Sequence, residues 1–207
     1  MKYIFVAGAP GSKWSSVVKN IYYSPDIDRS DYSDERTYYH DAGGQLDLMH
    51  LGAYFDPGME FGTGFDQLSK YKKEMLEAEF NRPFNGRGVR IIKSHCFATQ
   101  IDTVKSYWPE CPIVLVHRSD DSCLGWWVKC GHFDITYPKY HQYFKDLRTM
   151  SGIIKEQNAG ILESWWKYNN SPVINDNLQL AKSLGIDAPP ADYQQDYAVS
   201  DIRVKVI

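Results

Sequence analysis

The spacing of apolar residues changes several times along the chain, and each change marks an element. Tyr3-Ile-Phe-Val-Ala7 is an unbroken apolar run rich in β-formers. Gly8-Ala-Pro-Gly11 punctuates it, and residues 13–22 then carry a helical pattern, which together predict strand, tight turn and helix. Residues 24–64 are rich in Asp, Gly, Tyr and Pro with little periodicity, and predict a long irregular excursion over one end of the domain. A charged helix is expected over 66–80, ended by Pro83, Gly86 and Gly88. A second strand follows at 89–93, a second helix at 99–108, and a third strand at 112–117 whose continuous apolar run suits burial on both faces. Helices are expected over 120–129, 139–148 and 152–168, the last with Ile154, Ile161, Leu162, Trp165 and Trp166 on a broad apolar face. A short helix at 177–184 is stopped by Gly185, and 202–207 reads as a late strand.

Strands separated by helices imply a parallel sheet with helices on both faces, a three-layer α/β domain spanning residues 1–207. The length of 207 residues and an apolar fraction of 43% suit one core rather than two. Fifteen Tyr and six Trp exceed ordinary usage and either fill that core or line a pocket. A net charge of −3 gives no basic footprint for nucleic acid, so a phosphate site has to be locally basic. Cys96, Cys111, Cys123 and Cys130 have no metal-ligand spacing and are too few for a disulfide scaffold, which fits reduced thiols and a cytoplasmic protein. No leader pattern and no membrane-length apolar run is visible. His40, Asp41, Asp47 and His50 fit no metal-binding pattern, so no metal is expected.

Ligands of such sheets lie at the carboxyl ends of the strands, and three motifs fall there. The first is Gly8-Ala-Pro-Gly-Ser-Lys-Trp-Ser-Ser16. A glycine-rich turn entering a helix presents backbone amides to an anion. Lys13 adds charge, and Ser12, Ser15 and Ser16 add hydroxyls; the alternative is an ordinary turn with a capping serine. Against the nucleoside-triphosphate loop, Lys13 stands one position early and Trp14 takes the lysine slot, which disfavours hydrolysis and leaves anion binding. The second motif is Ile91-Ile-Lys-Ser-His95. Positions two apart on a strand face one way, so Lys93 and His95 can address one anion as cation and base, or His95 is a hydrogen-bonded loop residue. The third is Val114-Leu-Val-His-Arg-Ser-Asp-Asp-Ser122, where Arg118 suits a phosphate or pairs with Asp120 or Asp121 at the helix start. Trp126 and Trp127 are read as core-facing.

The three motifs, in this order, resemble the sulfotransferases that use 3′-phosphoadenosine 5′-phosphosulfate (PAPS), which have a P-loop-like fold. Gly11-Ser-Lys-Trp14 is similar to the Gly-Thr-Thr-Trp end of the cytosolic family's loop; Gly8-Ala-Pro10, Ser12 and Ser15 match the loop of bacterial members. Lys93-Ser-His95 resembles the family's Lys-Thr/Ser-His. The resemblance implies that Gly8, Pro10, Gly11, Ser12, Lys13 and Ser15 hold the 5′-phosphosulfate and that Trp14 packs on the adenine. It implies that Lys93 stabilises the transferring group, His95 is the catalytic base and Arg118 binds the 3′-phosphate. The chain departs from the pattern in places. The family's basic loop residue is Ala9 or Gly11 here, with Lys13 supplying charge from a shifted position, and its second 3′-phosphate ligand, a Ser, is Trp126, with Ser119 or Ser122 to compensate. The C-terminal glycine-rich cofactor segment is not visible. The expected acceptor is a small or glycan-like hydroxyl or amine, with the aromatics of the excursion, among them Tyr32, Tyr38, Tyr39, Tyr54, Phe55 and Phe61, as candidates to bind it. A P-loop kinase and a non-catalytic nucleotide-binding protein are the competing readings.

Overall fold

The first apolar run forms strand β1 (Tyr3–Gly8), all six residues of which are buried. A computed structural model of the chain describes residues 1–31, 39–41, 46–48, 51–55, 65–129, 145–193, 197 and 201–207. After β1 come α1 (Trp14–Tyr22), β2 (Tyr39–Asp41), β3 (Leu46–Leu48), β4 (Ala53–Tyr54), α2 (Lys73–Asn81), β5 (Arg90–Lys93), α3 (Ile101–Tyr107) and β6 (Ile113–His117). The second half adds α4 (Asp120–Lys129), α5 (Leu147–Lys167), β7 (Val173–Ile174), α6 (Asn177–Leu184) and β8 (Arg203–Val206). The main sheet has the order β4-β5-β1-β6-β8-β7, and β2 and β3 pair separately.

The chain is an α/β protein with a mixed six-stranded sheet flanked by helices, which corrects the all-parallel sheet expected from the alternation of elements. β4, β5, β1 and β6 are parallel, whereas β8 runs antiparallel to both β6 and β7. The reason is the path of the chain after β7. It leaves and re-enters the sheet at the same edge, the carboxyl ends of the parallel strands, so β8 must run back down, with Arg203 opposite His117. This return brings residues just before β8 to the edge where the three motifs end.

Period-two alternation in β1 and β6 divides the core into two halves. Ile4, Val6, Val114 and Val116 pack with Val17, Val18 and Ile21 of α1 and Leu180 and Leu184 of α6. Tyr3, Phe5, Ile113 and Leu115 pack with Leu76 and Phe80 of α2 and Ile101 and Val104 of α3. The second half is aromatic: the Phe5 ring lies 5.1 Å from Trp108, 5.7 Å from Phe97 and 5.8 Å from Phe80. Of the tyrosines and tryptophans, Tyr3, Tyr54, Tyr197, Trp14, Trp108 and Trp127 are buried in the core.

Several boundaries differ from expectation. The helix expected over 66–80 is a 3-10 stretch, Phe65–Lys70, followed by α2, because Gln67 leaves helical geometry at φ −141°. The helix expected from Thr99 starts at Ile101, since Ser94 Oγ accepts from Cys96 N at 3.0 Å and sets up a 3-10 turn over His95–Thr99. α5 begins five residues before the expected 152 because Asp146 caps it, accepting from Thr149 N at 2.7 Å. Its buried stripe is Met150, Ile154, Gln157, Asn158, Ile161 and Ser164; Leu162 and Trp166 point outward, against the broad apolar face expected. The excursion is not wholly irregular, for β4 extends the main sheet, with Ala53 beside Ile92 and Tyr54 beside Lys93. Most of the helix expected over 139–148, with Tyr32, Tyr38, His50, Phe61 and Cys130, lies outside the described residues. Among the described residues no helix is long and apolar enough to cross a membrane.

Candidate functional site

Gly8 of β1 lies beside Val116 of β6, and Lys93 of β5 lies beside Val6, so the three motifs share one edge. The chain turns at Gly11, φ 78°, and Ser12 N donates to Ala9 O at 3.0 Å. Lys13 follows in the left-handed region at φ 60°, the one such non-glycine among the described residues, and is the N-cap of α1. Helix geometry then leaves the Trp14 and Ser15 amides without an intrahelical acceptor. Ser16 N already donates to Lys13 O at 2.9 Å.

The loop is cramped from within. A Cβ on Gly8 would stand 2.7 Å from Ser12 Oγ, and one on Gly11 would overlap the Cys123 carbonyl of α4. Pro10 and Ser12 are buried, and the Ser12 hydroxyl has no hydrogen-bond partner among the described residues. An orphan hydroxyl inside a glycine-walled turn at a helix N-terminus fits a bound anion. Lys13 is half-buried, with Nζ 4.5 Å from the centre of the Trp126 ring.

The structure brings Lys93 and His95 together around two aromatic rings. His95 stacks on Trp14, with centroids 3.9 Å apart and planes 14° off parallel, and meets Tyr54 edge-on at 5.7 Å. Lys93, with no exposed surface, places Nζ 5.7 Å from the Trp14 ring centre and 5.5 Å from that of Tyr54. These faces attract the buried ammonium. His95 Nδ1 is hydrogen-bonded to Gly8 O. A carbonyl only accepts, so Nδ1 carries the proton and the lone pair of the neutral ring is on Nε2. The same contact ties the base candidate to the anion loop. Trp14 is buried and His95 occupies one face of its indole, the kind of surface the resemblance gives to adenine.

Arg118 pairs with neither Asp120 nor Asp121. Its Nε donates to Asp201 Oδ2 at 2.5 Å and its Nη1 to Gly11 O at 3.1 Å. Asp120 instead accepts from Asn158 Nδ2 of α5 at 2.6 Å, and Asn158 also donates to Arg118 O at 2.9 Å. Burial acts to raise the Asp201 pKa, but the bonds and charge of Arg118, with help from Ser122 and Lys13, outweigh it and hold the carboxyl below its ordinary range. Trp126 is only half-buried, unlike the core-facing position expected; Trp127 is buried. Lys13, Lys129 and Arg118 surround the Trp126 ring at 4.5, 5.6 and 6.0 Å.

Burial pushes the Cys123 thiol behind the loop up to about 12, so it is no nucleophile at neutral pH. Among the described residues no group of three or more His, Cys, Asp or Glu side chains is placed to hold a metal ion. Sequence reasoning misplaced one part of the site and missed another. Tyr54, expected as an acceptor-binding aromatic of the excursion, packs instead beside Lys93 and His95, from an edge strand too short for a periodicity signal. Asp201 is separated from Arg118 by 83 residues and joins it through the antiparallel return of β8. With this geometry in view, no protein-family model, curated protein or solved structure was found to match the chain.

Proposed function

We propose that the chain is a sulfotransferase-like protein of P-loop-like architecture, moving a sulfuryl group from a nucleoside phosphosulfate to a hydroxyl or amine of a small or glycan-like acceptor. PAPS is the donor the resemblance implies. The observation that carries the reading is the bond from His95 Nδ1 to Gly8 O, which fixes a base beside the anion loop and beside Lys93. The donor supplies an activated sulfuryl group on a good leaving phosphate. The loop amides of Trp14 and Ser15, with Lys13, hold the anionic end. His95 Nε2 takes the acceptor proton, as its tautomer allows. Lys93 offsets negative charge on the transferring group from inside the aromatic cage, where low dielectric strengthens its field. The fit is good at the 5′ end and poor at the 3′ end, where Asp201 already occupies Arg118.

The test has two parts. Calorimetric titration in Mg²⁺-free buffer is expected to show binding of an adenine 5′-nucleotide, AMP or 3′-phosphoadenosine 5′-phosphate. His95→Ala is expected to keep that affinity within about threefold while lowering sulfuryl transfer to 4-nitrophenol by about 10²–10⁴-fold. Binding confined to ATP with Mg²⁺ moves the chain to the kinases. Unchanged turnover in His95→Ala removes the base from the mechanism.

A further inference from the structure

The pole that the resemblance assigns to the donor's 3′-phosphate is filled from within the chain. Arg118 gives Nε to Asp201 and Nη1 to the Gly11 carbonyl, so two of its five N–H donors are committed. A phosphate entering here would meet the Asp201 carboxylate beside the arginine, and like charges in contact cost several kcal/mol. A hydroxyl would meet an acceptor. The same logic operates in dinucleotide sites, where an acidic residue binds an unmodified ribose hydroxyl and an arginine without such a partner accepts a phosphorylated one.

The Asp201 side chain keeps 46% of its surface exposed, so its outer oxygen is accessible to a ligand while the inner one holds Arg118.

We infer that Asp201 is a specificity-determining residue and that the donor is a nucleoside 5′-phosphosulfate with a free ribose 3′-hydroxyl, not its 3′-phosphorylated form. The inference rests on the sulfuryl-transfer reading of the site and changes the donor that reading would take.

AMP and 3′-phosphoadenosine 5′-phosphate, the nucleotide products of the two donors, separate the possibilities by calorimetry. The wild-type chain is expected to bind AMP at least about tenfold more tightly than the bisphosphate. Asp201→Asn, which keeps the shape and removes the charge, is expected to bring the ratio to unity or invert it, and Asp201→Glu to retain the preference. Tighter binding of the bisphosphate by the wild type overturns the inference without any variant and leaves the sulfotransferase reading standing. A ratio unchanged in Asp201→Asn overturns the role of Asp201. If neither nucleotide binds, both the inference and the function proposed for the site fall.

Discussion

Gly11 shows how strictly the loop is specified. Its φ of 78° belongs to the left-handed region, and a Cβ there would overlap the backbone carbonyl of Cys123, an atom that moves only if α4 moves. Left-handed geometry alone costs an L-residue about 1–2 kcal/mol. Gly11→Ala is therefore expected to lose at least about 2 kcal/mol in urea denaturation and to abolish the nucleotide binding proposed for this loop, because Arg118 is bonded to the Gly11 carbonyl. Gly125, in the middle of α4, is the control. Nothing lies within 4 Å of its would-be Cβ. Gly125→Ala should stabilise the protein by about 0.5–1 kcal/mol, since a helical alanine gives up less chain entropy than a glycine. A loss at both positions would mean that α4 is too close to its strain limit for either explanation. The loop's glycines were legible as a turn from sequence. The left-handed Lys13 was not, because a lysine carries no local signal for that region and is held there by the helix start that follows.

Among the elements, α6 joins sequence and structure most closely. Asp176 Oδ1 accepts from Gln179 N at 2.8 Å, and Gln179 Oε1 reaches back to accept from Asn175 N at 3.1 Å. At the other end Gly185 adopts φ 65° and closes the helix. Both termini follow known capping chemistry, and residues 177–184 were predicted correctly. Asp176→Ala should cost about 1 kcal/mol, read as a lower denaturation midpoint with unchanged slope. Asp176→Asn should recover most of the loss, because the amide oxygen can still accept; if it does not, the contribution of Asp176 is electrostatic. α5 and α2 were less legible. The start of α5 is set by Asp146, which lay inside a segment read as another helix. α2 was merged with a 3-10 stretch whose break depends on a tertiary contact, Gln100 Oε1 accepting from Leu68 N at 2.5 Å. Local patterns announce caps and periodicity, and they do not announce breaks imposed from 32 residues away.

At the scale of the molecule, the sequence showed that three motifs would meet at one sheet edge, because alternating strands and helices force that. It did not show what closes the edge, since the direction of β8 depends on where residues 175–202 travel. That direction sets one more property. His117 ends β6 with Arg203 opposite it on β8. Burial is the main influence lowering its pKa below 6.5, and the Arg203 charge lowers it further against a smaller opposing pull from Asp120. Between its folded value and 6.5, the unfolded chain holds a proton that the folded chain does not, so stability rises with pH across that window. The contribution is whole above 6.5, declines as pH drops below it and is gone under the folded value. Denaturation midpoints measured from about pH 5 to pH 8 should fall toward the acid side in the wild type. His117→Gln should remove that part of the slope, and Arg203→Gln should shift the His117 titration upward by nuclear magnetic resonance and narrow the window. An unmoved titration in Arg203→Gln would leave burial as the whole cause and remove the antiparallel return of β8 from the account of this pH dependence.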